Sequence, residues 1–141
     1  MERDTLTKTI ELPATVDNLE SLCSFARKVC GSASTLALSE EQLYKIELAV
    51  SEAVTNVIKY AYPGAEVGTV VLELALDDDG VTIKVKDQGV GFDFEKAGEP
   101  PRDGVARESG LGIYIIRSVS ESVRYRDEGP LHVLTMRFGV A

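Results

Sequence analysis

A glutamate and an asparagine stand four residues apart in the segment ELAVSEAVTNVIKY. On a helix, Glu52 and Asn56 lie about 40° apart around the axis and about one turn apart along it, so their side chains share a face. The asparagine supplies a neutral oxygen ligand for a divalent cation, and the glutamate supplies a proton acceptor. The pair fits a site that holds a metal ion and orients a nucleophile, although the same face also fits a helix surface turned to water.

An aspartate interrupts the apolar alternation of a second segment, VTIKVKDQGVGFD. The inward positions that begin at Val81 are apolar until Asp87, and a buried carboxylate is costly unless it has partners. Either a backbone turn takes up its oxygens, or it accepts a hydrogen bond from an exocyclic amino group such as that of adenine. Gly89 and Gly91, which come directly after it, let the backbone approach a flat ligand because they lack a Cβ atom.

A third segment, SGLGIYII, places two glycines where a helix is predicted to begin. Gly110 is predicted to precede this helix and Gly112 to enter it. The unpaired N–H groups of the first turn would then point out of the preceding loop, where they suit a phosphate group. An ordinary loop-to-helix turn fits the same pattern.

Amphipathic patterns predict the elements that position these segments. Alternation over residues 6–12 predicts a first strand, and two helices follow at helical spacing. The first helix, with Asp17 as its N-cap, is predicted to end near Gly31. The second, with Ser39 as its N-cap, is predicted to run to about Tyr60.

Two hairpins and one helix complete the chain. Strands over 70–76 and 81–87 are joined by DDDG, in which Asp-Gly favours a tight turn. Residues 93–109 lack a sustained period and are predicted to form an exposed loop, and loops of this length are usually functional or disordered. After it come a helix in GLGIYIIRSVSES and a last hairpin. The only histidine, His132, lies in the final strand and is interpreted as structural.

The order strand, helix, helix, strand, strand, helix, strand, strand predicts an α+β fold. We expect a single two-layer sandwich over residues 1–141, with a mixed, mainly antiparallel sheet and helices on one face. The net charge of -8 argues against direct binding of nucleic acid or of an anionic membrane. Without a signal-peptide pattern or a long apolar run, a cytoplasmic location is expected.

The order of the three motifs resembles that of the ATPase superfamily that includes DNA gyrase, histidine kinases and MutL, which share the Bergerat fold. Glu-x-x-x-Asn on a helix precedes Asp-x-Gly-x-Gly after a strand, and a lid-like loop then leads to Gly-x-Gly. Within this superfamily, SEAVTNVIKYAY, DQGVGFD and SGLGIYII look most like the anti-sigma-factor serine/threonine kinases of bacterial sporulation and stress control.

The resemblance implies a role for each motif in binding ATP and Mg²⁺. Glu52 would be the general base, Asn56 would ligate Mg²⁺, and Lys59 would approach a phosphate. Asp87 would accept from the adenine amino group, while Gly89 and Gly91 line the base and ribose. Phosphate binding beneath a lid at 93–109 is implied for Ser109, Gly110, Leu111 and Gly112.

The implied function is phosphorylation of an anti-sigma-factor antagonist by a protein that also sequesters a sigma factor, and the resemblance further implies a homodimer. One alternative is a nucleotide-gated binding module without phosphoryl transfer, and another is a histidine-kinase-like ATPase domain. Glu52 favours the enzyme, because binding alone needs no base. Glu108, where some family members carry arginine, favours the module.

Overall fold

The computed structural model describes residues 5–32, 36–64, 66–91, 94 and 108–140. These residues form a β-sheet and three α-helices. The strands are β1 (Leu6–Pro13), β2 (Thr69–Asp77), β3 (Gly80–Asp87), β4 (Ser122–Glu128) and β5 (Leu131–Gly139). The α-helices are α1 (Leu19–Ser32), α2 (Glu40–Asn56) and α3 (Glu108–Val119). A 3-10 helix over Val16–Asn18 precedes α1, and a π-helix over Val57–Ala61 follows α2.

The described strands form one sheet in the order β1-β2-β3-β5-β4, and each neighbouring pair is antiparallel. The expected α+β class and mainly antiparallel sheet are therefore confirmed. The parallel component of a mixed sheet is not found among these strands, since all four neighbouring pairs are antiparallel. In the centre of the sheet, Asp87 at the end of β3 lies opposite His132 in β5.

One face of the sheet and the apolar stripes of the helices form the core. The inward positions of β2 are Val70, Leu72, Leu74 and Leu76, and each is at most 3% exposed. The apolar stripe predicted for the second helix is likewise buried, with Ile46 and Val50 inaccessible to solvent. Helix α1 contacts β2, α2 contacts β3 and α3 contacts β4, so the helices cover one face as expected.

The two helix starts predicted from capping residues differ in outcome. At Ser39 the prediction is confirmed: the Gln42 N–H donates to Ser39 Oγ over 3.1 Å, and the Ser39 N–H donates to Gln42 Oε1 over 2.8 Å. At Asp17 it is wrong, because this residue lies inside the 3-10 helix and makes no cap. Asn18 Nδ2 instead donates to the Pro13 carbonyl over 2.9 Å, which fixes the chain before α1 begins.

The first hairpin turns over two residues, Asp78 and Asp79, rather than over the Asp-Gly pair, and Gly80 already belongs to β3. The carboxylate of Asp77 organises this turn by accepting from the N–H groups of Asp79 and Gly80 over 2.8 and 2.9 Å. Arg137 donates to both oxygens of Asp77, at 3.1 and 3.2 Å, and this pairing lowers the pKa of Asp77.

The predicted loop over residues 93–109 lies outside the described residues, apart from Phe94 and the first two residues of α3. Among the described helices, none combines the length and the apolar character that a membrane span requires.

Candidate functional site

A pocket lies where the end of α2 meets the ends of β3 and β5. Polar and charged groups enter it from two directions, Asn56 from α2 and Asp87 from β3. The remaining lining residues are mostly small or apolar: Ala53, Val57, Tyr60, Ala61, Val85, Gly91, Tyr125 and Leu134. Such a lining, with a few convergent polar groups, is typical of a site for a small-molecule ligand.

Helix α3 passes close to the polar face of α2 at a glycine. A Cβ atom at Gly112 would lie 3.1 Å from Glu52 Oε2 and 3.3 Å from both amide atoms of Asn56. The first and third motifs, which are far apart in the sequence, are therefore adjacent in space. Glu52 and Asn56 are partly exposed although α2 packs on the sheet, so the face they share remains open to a ligand.

Helix α3 begins at Glu108, two residues before Gly110. The prediction that Gly110 precedes the helix is therefore wrong, since Ser109 and Gly110 both belong to its first turn. The N–H groups without a partner inside a helix are those of its first four residues, here 108–111. Leu111 is exposed and Gly112 is buried against α2.

Directly after Asn56, the helix widens into the π-helix over Val57–Ala61. Helical turns of this kind are rare and are frequently found at functional sites. Here the turn brings Tyr60 and Ala61 to the pocket wall. Lys59, in the same turn, is exposed and does not line the pocket, so its approach to a phosphate stays a prediction.

The carboxylate that interrupted the strand pattern is buried as predicted: Asp87 is 7% exposed. Its Oδ1 accepts from the Gly89 N–H over 2.8 Å. Its Oδ2 accepts no hydrogen bond from the described part of the chain, and the residue lines the pocket. Burial raises the pKa of Asp87, although the Gly89 hydrogen bond and the nearby His132 oppose the shift. The turn contact predicted as one alternative is thus present, and one oxygen remains for a ligand.

The segment Gln88–Gly91, called here the glycine loop, is fixed at several backbone atoms. The Gln88 N–H donates to the hydroxyl of Tyr62 over 2.9 Å, and the Val90 N–H donates to the Ala61 carbonyl over 2.9 Å. No side chain fits at Gly89, because its Cβ atom would lie 2.2 Å from the Ala61 carbonyl oxygen. The glycine loop is therefore docked on the π-helix.

His132, in β5, also contacts the glycine loop. Its Nε2 lies 2.9 Å from the Gly89 carbonyl oxygen, and its Nδ1 lies 2.6 Å from Asp127 Oδ1. Gly91 has φ +75°, and a Cβ atom there would lie 3.0 Å from the imidazole ring. The ring also stacks on Tyr125, with centroids 5.9 Å apart and planes inclined by 12°.

Sequence reasoning assigned no site role to His132, Tyr60 or Tyr62. A signal for the histidine was present, since Phe138, Met136 and Leu134 are the inward positions of the same strand and their alternation continues to residue 132. No comparable signal marks the tyrosines, because the π-helix that positions them has no periodic pattern.

The residues around the pocket include no preformed metal cage, since no group of three or more His, Cys, Asp or Glu side chains suited to a metal ion occurs among the described residues. Asn56 is a single neutral ligand. This arrangement is compatible with Mg²⁺, which usually keeps several waters and is bound by one or two protein ligands together with phosphate oxygens.

Comparison with known proteins agrees with the resemblance predicted from the motifs. Residues 12–138 match the family model of the histidine kinase-like ATPase domain. The serine-protein kinase RsbW of Listeria monocytogenes is 33% identical over 136 residues, which cover 90% of this chain and 84% of that protein. The serine-protein kinase RsbW of Staphylococcus epidermidis is 35% identical over 108 residues, which cover 70% of this chain and 68% of that protein.

A solved structure shows the same fold. The crystal structure of the RsbU and RsbW domains of a Mycobacterium tuberculosis protein superposes with a TM-score of 0.68 at 18% identity. The match covers 94% of this chain and 32% of that longer chain. With nearly its whole length matched by the family model and by relatives at this level of identity, this chain belongs to the histidine kinase-like ATPase domain family.

Proposed function

We propose that this chain is an ATP-dependent serine/threonine kinase that phosphorylates an anti-sigma-factor antagonist and also binds a sigma factor. The observation that best supports this function is that three separate motifs meet: Asn56 and Asp87 line one pocket, and Gly112 lies against Asn56 and Glu52 beside it. The relatives named serine-protein kinase support the same reaction class.

The pocket residues fit the adenosine part of ATP. Asp87 Oδ2 would accept a hydrogen bond from the adenine amino group, because the other carboxylate oxygen is already engaged by Gly89. Gly89 and Gly91 would line the base and ribose, where their missing side chains leave room. The apolar wall, which includes Val57 and Leu134, would contact the faces of the base.

The first turn of α3 and the polar face of α2 fit the phosphates. Unpaired N–H groups at a helix start favour an anion, which supports a phosphate role for Ser109, Gly110 and Leu111. Gly112, the next residue, would let a phosphate approach because it has no side chain. The close contact at Gly112 keeps Asn56 beside this turn, where its amide oxygen would hold Mg²⁺. Bound Mg²⁺ would neutralise charge on the transferred phosphoryl group.

Glu52 would act as the general base. It lies one helical turn before Asn56 and beside Gly112, so it borders the region assigned to the phosphates. Its carboxylate would accept the proton of the serine or threonine hydroxyl of the partner as that oxygen bonds to the γ-phosphorus and ADP leaves.

The partners and the extent of the functional unit are part of the proposal. Residues 1–141 would act as one ATP-binding domain with a lid at 93–109, and two copies would form a homodimer. The net charge of -8 suits a basic surface on a sigma factor, since complementary charge steers association.

The test is transfer of label from γ-labelled ATP, in the presence of Mg²⁺, to the antagonist protein encoded in the same genome. Wild type should label a serine or threonine of that protein, and Glu52→Gln should lower the rate by about 100-fold or more, the scale of general-base catalysis. Glu41→Gln is the matched control, because Glu41 is an exposed residue of the same helix whose pair with Lys45 contributes little.

The outcomes separate the alternatives. Tight ATP binding without transfer to the antagonist would favour the nucleotide-gated binding module. Equal rates for wild type and Glu52→Gln would remove the general-base role while leaving nucleotide binding intact.

A further inference from the structure

The side chain of His132 connects three structural elements at the glycine loop. It projects from β5, its Nδ1 contacts Asp127 of β4, and its Nε2 contacts the Gly89 carbonyl oxygen after β3. The ring is only partly exposed, with 21% of its side chain accessible. The contact to Gly89 reaches the glycine loop, which borders the pocket through Gly91.

Both partners of the ring are hydrogen-bond acceptors. A neutral imidazole has one N–H donor and one lone pair, whereas the imidazolium form has two donors. Only the imidazolium can therefore donate to the Asp127 carboxylate and to the Gly89 carbonyl at the same time. In the neutral form, one of the two contacts becomes a lone pair facing an acceptor oxygen.

The charged groups around the ring favour the imidazolium. Two carboxylates face it, Asp127 from β4 and Asp87 from β3, whereas Arg126, which lines the same surface groove as the ring, carries the opposite charge. Partial burial lowers the pKa of His132, but the hydrogen bonds to Asp127 and Gly89 and the two negative charges outweigh this effect and raise the pKa above its usual value.

The contact to Gly89 ties the ring to the ligand-facing carboxylate. Both backbone groups of Gly89 are held by side chains. Its N–H donates to Asp87 Oδ1 over 2.8 Å, and its carbonyl oxygen lies 2.9 Å from His132 Nε2. Gly91, which lines the pocket, packs against the same ring. Loss of the Nε2 donor therefore removes one of the contacts that hold the glycine loop beside the adenine pocket.

We propose that His132 is a positioning residue of the nucleotide site, whose imidazolium form holds the glycine loop so that nucleotide affinity falls when the ring loses its proton. This inference rests on the proposed binding of nucleotide by the same pocket. His132 does not touch the base and acts through Gly89 and Gly91.

The test measures ADP affinity by isothermal titration calorimetry from about pH 6 to about pH 9, the range in which histidine titrates. Wild-type affinity should fall about three- to tenfold across this range, the scale of one hydrogen bond. His132→Gln should give a flatter profile, because the Gln amide donates to Gly89 without titrating. Asp127→Asn should move the fall to lower pH, since it removes the adjacent charge. The titration of ADP itself is common to all three proteins, so only differences between their profiles count.

A second measurement does not depend on any variant. His132 is the only histidine, so its ring resonances report one titration without assignment. By linkage, ADP binding should strengthen proton binding to His132 by the same factor by which protonation strengthens ADP binding, so the pKa of His132 should rise by the logarithm of that factor. Variants are compared only if their thermal unfolding shows a folded protein.

The results distinguish the positioning role from the proposed function. If wild type binds ADP and shares one pH profile with His132→Gln, the positioning role is refuted and the proposed function stands. If wild type binds no adenine nucleotide at any pH, the proposed function fails and the inference fails with it. A histidine pKa that is the same with and without ADP also refutes the positioning role.

Discussion

Replacing Asp87 with asparagine tests the adenine site with little change in volume. The Asn oxygen can keep the hydrogen bond that Asp87 Oδ1 accepts from the Gly89 N–H over 2.8 Å. The amide NH₂ group then occupies the place of Oδ2, which no group in the described part of the chain contacts through a hydrogen bond. A hydrogen-bond acceptor that faces the pocket thus becomes a donor, and the turn is preserved.

The expected loss of affinity comes from that exchange. A hydrogen bond to a charged group contributes about 1.5–3 kcal/mol, which corresponds to about a 10- to 150-fold change in Kd. Asp87→Asn should weaken ATP binding by that factor, because two donors would face each other. ITP carries a carbonyl oxygen where ATP carries the amino group, so the variant should lose its preference for ATP over ITP.

The same substitution should stabilise the protein without nucleotide. Burial raises the pKa of Asp87, so its folded-state pKa lies above its unfolded value. Its contribution to stability is therefore present below the unfolded pKa and is lost as the pH rises through the folded pKa. At neutral pH, Asp87→Asn should raise the melting temperature, and the difference should shrink in acid.

Calorimetric titration with ATP and ITP, together with thermal unfolding followed by circular dichroism, measures both effects. Asp17→Asn is the matched control, because Asp17 is exposed in the 3-10 helix and does not line the pocket. An unchanged ATP affinity in a folded Asp87→Asn protein would refute the assignment of Asp87 to the adenine amino group, whatever its melting temperature.

Four further predictions address the phosphate region, the helices, the sheet and the metal. Gly112→Ala should leave the protein folded but lower phosphoryl transfer about tenfold or more, since its Cβ would press on Glu52 Oε2 at 3.1 Å. Gly31→Ala, whose Cβ would meet no atom within 4 Å, should leave the transfer rate unchanged. Ser39→Ala should lower the free energy of unfolding by about 1 kcal/mol in urea titrations, because it removes the N-cap of α2. Arg137→Met should destabilise the protein at neutral pH and progressively less in acid. The pair with Arg137 lowers the pKa of Asp77 in the folded protein, so it stabilises the fold at pH values above the unfolded-state pKa of Asp77. This contribution is lost as the pH falls through the folded-state pKa of Asp77. Removal of Mg²⁺ with EDTA should abolish phosphoryl transfer while ADP binding persists, measured by label transfer and calorimetry on the same sample.

The parts of the fold that depend on periodic burial could be predicted from the sequence. Alternation predicted β2 and β3 because each inward side chain, such as Leu72 or Ile83, lies in the core. Helical spacing predicted α2 because Ile46 and Val50 face the same core. Asp87 could be recognised as buried by the same logic, since it continues an inward series.

The remaining parts depend on contacts between distant segments. The ring of His132 meets the Gly89 carbonyl across 43 residues of sequence, and Tyr62 meets Gln88 across 26. Local propensity contains no information about such pairs. The π-helix and the early start of α3 were missed for the same reason, because packing against neighbouring elements overrides helix signals in the sequence.

The π-helix over Val57–Ala61 determines where this site tolerates a change in chain length. A π-helical turn closes its hydrogen bonds one residue further on than an α-helical turn, so it accommodates an additional residue. The loss of that one residue would return the segment to α-helical geometry with little rotation of the residues that follow, because both forms complete about one turn. The loss of a residue within α2, by contrast, would rotate Ala61 and Tyr62 by about 100° and turn them away from the glycine loop. Relatives that differ in length at the π-helix can therefore keep the same glycine-loop contacts, whereas a difference within α2 marks a differently built site.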